Sequence, residues 1–210
     1  MANLILYSDQ IQNVTDEIDE RLVKMLPRRG AVIGYLPSSP DPDRKFFNER
    51  VAYYDRLNLK LKYFDPAMHY SMDVIGELVK CDAIHLTGGN TYDFNHWLQK
   101  KALISVLKQY ARMRGTLIGV SAGSILMTPT LFPSMICGDV CRHGDPDQEG
   151  MDLVPFTVVP HFDESPEMTN AILEFGKHFS RPIYALKDET GIIVTRRQIE
   201  FVGQTFSVNV

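Results

Sequence analysis

The sequence predicts an α/β protein, a three-layer αβα sandwich around a mainly parallel sheet. Two observations carry this. Short apolar or β-branched runs alternate with stretches whose apolar residues recur at helical spacing, the rhythm of βα units. Several of those runs are apolar throughout rather than alternating, as strands covered on both faces must be. With 210 residues, 44% hydrophobic and 23% charged, the chain suffices for a single domain over 1–210 with a sizeable core.

The elements follow in order. Leu4 to Tyr7 reads as a first strand, and Val14, Ile18, Leu22 and Met25 then recur on one helical face. Ala31 to Leu36 is a second strand. Asp41-Pro42 supplies a helix cap and a proline at the first helical position, with Phe47, Val51 and Tyr54 continuing one face. Leu59 to Phe64 is a third strand, followed by a helix over 72–80. Asp82 to Leu86 is a fourth strand, and the next helices run to about Met113, burying Leu103, Val106, Leu107, Tyr110 and Ala111. Gly115 stops them, and Thr116 to Val120 is the fifth strand.

After residue 127 the rhythm breaks. Residues 128–152 are rich in Pro, Gly and Asp and read as a long excursion, a feature that in compact domains is usually functional or mobile. A strand is expected from Leu153 to Val159, then a helix opened by Ser165-Pro166 with Met168, Ala171, Ile172, Phe175 and Phe179 on one face. Ile183 to Leu186 is a short strand. The stretches starting at Gly191 and Ile199, joined by Arg196-Arg197-Gln198, read as a C-terminal β-hairpin, with a last strand near Thr205 to Val210.

The bulk numbers exclude several functions. A net charge of -4 argues against a nucleic-acid binder that works by neutralising phosphates, and the pairs Arg28-Arg29 and Arg196-Arg197 read as exposed turns. No stretch approaches the length of apolar chain that a membrane span needs. Three cysteines, Cys81, Cys137 and Cys141, do not make a secreted disulfide framework, and the strand-like NLILYSD so close to Met1 is no secretory leader. These features predict a cytoplasmic protein without nucleic-acid or membrane partners.

In an open parallel sheet, ligands bind beyond the carboxyl ends of the strands. That rule selects Ser8-Asp9, Pro37-Ser38-Ser39, Gly88-Gly89-Asn90, Ser121 and His161, all expected along one sheet edge. GVSAG at 119–123 has the form of a nucleophile elbow, a sharp strand-to-helix turn that exposes its serine and leaves the Ala122 amide free for an oxyanion. As a bare pattern it also fits an ordinary packing turn. A serine needs a base, and the six histidines differ in placement. His85 lies inside a strand and reads as packed; His69, His96 and His178 lie in or beside helices. His143 follows Cys137 and Cys141, but that spacing has no fourth ligand, so neither a metal nor a cofactor is expected. His161, in PHFD at the active edge, is the base of choice.

The orienting acid comes from LKDETG, where Asp188 and Glu189 are both candidates. An acid from Asp139 or Asp152 would instead fit an α/β-hydrolase-type esterase, whose order is Ser, acid, His. Thr87-Gly88-Gly89-Asn90 suits a second oxyanion donor and close approach of a substrate backbone, placing Gly88 and Asn90 against substrate.

LTGGNTYDF, GVSAGSIL, VPHFD and ALKDETGIIV fall in the order of the motifs of the peptidase E family of serine peptidases, which is related to cyanophycinases, and the chain resembles that family over most of its length. The resemblance implies a class I glutamine amidotransferase-like fold. It implies a triad carried here to Ser121, His161 and Glu189, with oxyanion amides at Gly89 and Ala122, acting on small peptides through an acyl-enzyme. Removal of an N-terminal aspartate from dipeptides is the family's activity, and it calls for a basic residue after the histidine. Here FDESPEMTN carries none before Lys177, leaving Arg44 and Arg142 as candidate substitutes. A non-catalytic relative that binds a small molecule is the competing reading, and a homo-oligomer is compatible with either.

Overall fold

A computed structural model describes residues 2–27, 30–113, 115–144 and 146–209. Strand β1 (Asn3–Tyr7) leads to α1 (Asp16–Met25), β2 (Val32–Leu36), α2 (Lys45–Asp55), β3 (Lys60–Tyr63), α3 (Met72–Val79) and β4 (Ala83–Leu86). Then come α4 (Thr91–Lys100), α5 (Leu103–Arg112), β5 (Thr116–Val120), α6 (Ala122–Leu126) and α7 (Pro133–Ile136). The chain closes with β6 (Thr157–Val159), α8 (Pro166–Gly176), β7 (Ile183–Leu186), β8 (Gly191–Val194), β9 (Ile199–Val202) and β10 (Thr205–Val208). The pair Arg28-Arg29 lies outside the described residues, and Arg196-Arg197 is the exposed turn between β8 and β9.

The main sheet has seven strands in the order β3-β2-β4-β5-β1-β8-β9. The first five are parallel, and the predicted hairpin β8–β9 adds to it antiparallel to β1, Ile5 opposite Ile193. Its two faces bury different sets of side chains. One packs Ile18 and Leu22 of α1 and Tyr53 and Tyr54 of α2 against Ile5, Ile33 and Ile118. The other packs Leu78, Phe94, Leu107 and Leu126 from α3 to α6 against Leu4, Leu86 and Leu117. Alternate residues of each strand thus serve opposite layers, which is why the strands read as unbroken apolar runs. Among the described residues no helix is long and apolar enough to cross a membrane.

Three local expectations change. The α2 helix begins at Lys45, not at Pro42: the intervening turn puts Arg44 in the left-handed region (φ 53°), and Asp41 caps from a distance. Its carboxylate accepts the backbone N–H of Lys45 at 3.0 Å and of Phe47 at 2.9 Å. Val14 is half exposed and precedes α1 rather than joining its buried face. The strand expected from Leu153 is shorter, because Met151 and Leu153 donate their N–H groups to the carbonyls of Leu126 and Met127, satisfying the end of α6.

The remaining β6 belongs to a second sheet, ordered β10-β7-β6, which the sequence did not separate from the first. The excursion 128–152 contains α7 and packs on α4: Asp139 accepts the Thr91 N–H at 2.8 Å, and Tyr92 Oη donates to the Pro146 carbonyl at 3.2 Å.

Candidate active site

Ser121 follows β5, the central strand, and its backbone (φ 50°, ψ -108°) occupies a region that side chains rarely adopt. The surroundings hold it there. Its N–H donates to the Tyr7 carbonyl at 3.1 Å, its own carbonyl accepts from Ser124 and Ile125, and Ser124 Oγ donates to Tyr7 O at 2.7 Å. The glycine at 123 is a packing requirement: a Cβ there would lie 2.1 Å from the Leu86 carbonyl oxygen. Gly119 is constrained in the same way, with a Cβ falling 2.6 Å from the backbone of Gly123. The turn can therefore close onto β4 only with these residues.

His161 Nε2 lies 2.8 Å from Ser121 Oγ, and His161 Nδ1 lies 2.6 Å from Asp188 Oδ1. With Nδ1–H donating to the carboxylate, Nε2 is left to accept the serine proton. His161 follows β6, whereas Asp188 follows β7, and these strands pair in parallel, so their carboxyl ends emerge side by side.

Ser8 ties this pair to the main sheet. Fully buried, it donates Oγ–H to the Leu186 carbonyl at 2.9 Å and accepts the His161 N–H at 2.8 Å, while its own N–H donates to Thr190 O at 3.1 Å. One residue after β1 thus ties together both loops that carry His161 and Asp188.

The carboxylate that meets the His161 imidazole is that of Asp188, not Glu189. The N–H and Oγ1–H of Thr190 both donate to Lys187 O, at 2.8 Å each, closing a turn whose first corner is Asp188. That corner faces His161, and Glu189, one residue on, is exposed to solvent. Asp139 caps α4 and Asp152 pairs with Arg181 at 2.5 Å, so neither acid of the esterase reading reaches the imidazole.

A cleft of about 430 Å³ opens in front of Ser121, lined by His161, Gly88 and Gly89 and also by Asp9, Arg50 and His85. Gly88 packs beside Ser121, a Cβ on it falling 3.6 Å from the serine Cβ. Gly89 has φ 123°, and a Cβ there would strike Ser38 Oγ at 2.1 Å. Asn90 does not line the cleft. Its side chain caps α4, accepting the Asp93 N–H at 2.9 Å and donating to Val140 O at 3.2 Å. Asp9 places a carboxylate oxygen within 4.8 Å of the ligating atoms of His161 and Asp188.

Of the two arginines offered as substitutes, Arg142 pairs with Asp93 at 2.8 Å and Arg44 sits over the Tyr63 ring at 4.8 Å. Arg50, which lines the cleft, was not singled out in the sequence, and neither was the clamp made by Ser8. Arg50 looks like any solvated charge on an amphipathic helix. The Cys137 thiol donates to the Pro160 carbonyl at 3.3 Å, and His143 stacks on His96 at 4.0 Å.

A serine, an imidazole and a carboxylate in hydrogen-bonded series at the strand ends of an α/β sheet define a serine-type hydrolase. The chain belongs to peptidase family S51, whose family model matches residues 4–202. It is 20% identical to an uncharacterized peptidase of Listeria monocytogenes over 81% of this chain and 85% of that protein. It is 25% identical to an uncharacterized peptidase of Pasteurella multocida, over 60% of this chain and 58% of that one. With Peptidase E of a Nostoc species it shares 32% identity over 57% of this chain and 49% of the relative. In fold it matches a crystal structure of a candidate peptidase E protein from Listeria monocytogenes (TM-score 0.75, 20% identity, 96% and 98% of the two chains). A peptidase from an acI-B1 actinobacterium matches with TM-score 0.71 at 18% identity over 97% and 88%.

Proposed function

We propose that the chain hydrolyses small peptides through an acyl-enzyme, with Ser121 as nucleophile, His161 as general base and acid, and Asp188 holding the imidazole. The observation that carries this is the unbroken series Ser121 Oγ, His161 Nε2, His161 Nδ1, Asp188 Oδ1 with separations of 2.8 and 2.6 Å. Ser121 attacks the scissile carbonyl while His161 takes its proton; the imidazolium then protonates the leaving amine, and water repeats the sequence on the acyl-enzyme. The amide N–H groups of Gly89, which lines the same cleft, and of Ala122, the residue after the nucleophile, are the donors for the developing oxyanion. Gly88, beside Ser121, leaves room for the substrate backbone.

The cleft volume is at the small end of ligand sites, which suits a dipeptide. N-terminal aspartyl dipeptides are one substrate class, with Arg50 the cation placed to meet their carboxylate. All three groups of the series come from one chain. Three free cysteines suit a reducing, cytoplasmic setting. A fluorophosphonate probe tests the core of the proposal: rapid labelling is expected at Ser121, absent in Ser121→Ala and slowed in His161→Ala. No labelling of the folded wild-type protein overturns it.

A further inference from the structure

His85 sits near the end of β4 with 1% of its surface exposed, yet it lines the cleft in front of Ser121. Its ring stacks on Tyr35 at 5.3 Å and meets Tyr54 edge-on at 5.7 Å, so it cannot turn. A chain of hydrogen bonds fixes its tautomer. Arg50 Nη1 donates to the carbonyl of Gln10 at 2.9 Å and to its Oε1 at 3.0 Å, which orients the amide. Gln10 Nε2 must then donate to Tyr54 Oη, 3.1 Å away. The buried Tyr54 hydroxyl proton needs an acceptor, and His85 Nδ1 lies 2.8 Å from it. The imidazole therefore carries its proton on Nε2. Burial holds its pKa well below the ordinary histidine value, with the nearby Arg50 charge adding to the effect, so the ring stays neutral.

Among the described residues, no group bonds His85 Nε2. A neutral N–H donor thus stands without a protein partner on a residue that lines the cleft, with Arg50 on the same lining. The other charged residues on the cleft are Asp9, Asp41 and Glu49 besides His161. Asp41 is occupied in capping α2, Asp9 lies by the imidazole of His161 and Glu49 is exposed to solvent while His85 is buried, so none of the three supplies the missing acceptor.

We propose that His85 is a specificity-determining residue, donating Nε2–H to an oxygen acceptor on the first side chain of the substrate. The acceptor is a carboxylate or an amide carbonyl. An apolar side chain of the same shape leaves the donor desolvated and unpaired, which is the situation that gives strong discrimination. This inference rests on the peptidase reading of the same site.

The test compares kcat/KM for Asp-Leu, Asn-Leu and Leu-Leu, three dipeptides whose first side chains are nearly isosteric. The expectation is at least about 100-fold preference for an oxygen-bearing residue over Leu in the wild-type protein. In His85→Phe, which keeps the stacked ring, that ratio falls by about tenfold or more. Tyr54→Phe releases the tautomer and reduces the ratio as well, which keeps the test open should the first variant fold poorly. Nitrogen NMR of the imidazoles in wild-type protein is expected to show His85 protonated at Nε2. A preference for Asp-Leu over Asn-Leu brings the Arg50 charge into the contact, and equal rates leave the neutral N–H alone; both support the proposal. It is overturned by a wild-type ratio near one, by a ratio unchanged in both variants, or by a proton on Nδ1. An unlabelled Ser121 with the Nε2 tautomer present would sink the peptidase reading instead, so the two failures are distinct.

Discussion

Ser121 stands at the end of the central strand of the seven-stranded sheet, while His161 and Asp188 stand on loops that leave the three-stranded sheet. The first wall of the cleft is made by short-range packing. Gly119 and Gly123 let α6 press onto β4 and β5, where a Cβ on either would clash with backbone. The second wall is made by long-range hydrogen bonds. His161 is about half exposed, and its position depends on Ser8, a residue of the other sheet. The contrast teaches that a serine in a strained turn needs local sequence, whereas the imidazole and carboxylate that meet it need only be delivered to the right place.

That contrast can be broken at several points, and the largest effect is expected at Asp188. Asp188→Asn removes the charge that holds the imidazole and should lower kcat by about 10³- to 10⁴-fold in a dipeptide assay, with little change in KM. Next comes Gly123→Ala, which forces a methyl group against the Leu86 carbonyl. About 3 kcal/mol of stability should be lost in urea unfolding, and activity should fall with it, because the nucleophile wall cannot give.

Ser8→Ala should act on the other wall only. It leaves the His161 N–H without its acceptor and should reduce kcat by about 10- to 100-fold, from loss of about 1–3 kcal/mol of positioning, while fluorophosphonate labelling still marks Ser121 at a reduced rate. Glu189→Gln should be the mildest, within about twofold of wild type, since a solvated side chain away from the imidazole contributes little. A large effect there together with an active Asp188→Asn would return the acid to Glu189.

Much of the fold could be read from the chain. The parallel strands announced themselves as apolar runs because both faces are covered, and Ser165-Pro166 opens α8 as expected, with Ser165 Oγ accepting the Met168 N–H at 3.2 Å. The division into two sheets could not be read, because β6 is as apolar as any strand of the main sheet and nothing in TVV names its partner. Asn90 misled for a related reason: the same residue type serves as a helix cap or as a substrate contact, and only its distance to the Asp93 N–H decides. His85 was read as a packed strand residue and is one, but β2 and α2 also bring it to the cleft through Tyr35 and Tyr54.

The sequence alone determined the elbow and the βα order, because both are written in residues adjacent along the chain: glycines where a Cβ would clash, apolar runs where both faces are buried. It also singled out His161, whose Nε2 lies 2.8 Å from Ser121 Oγ. Which of Asp188 and Glu189 meets the imidazole, the clamp at Ser8 and the place of Arg50 on the cleft came only from tertiary structure. Each depends on where a side chain ends after the chain has folded back across many residues, and hydrogen bonds of that reach leave no periodicity in the sequence to read.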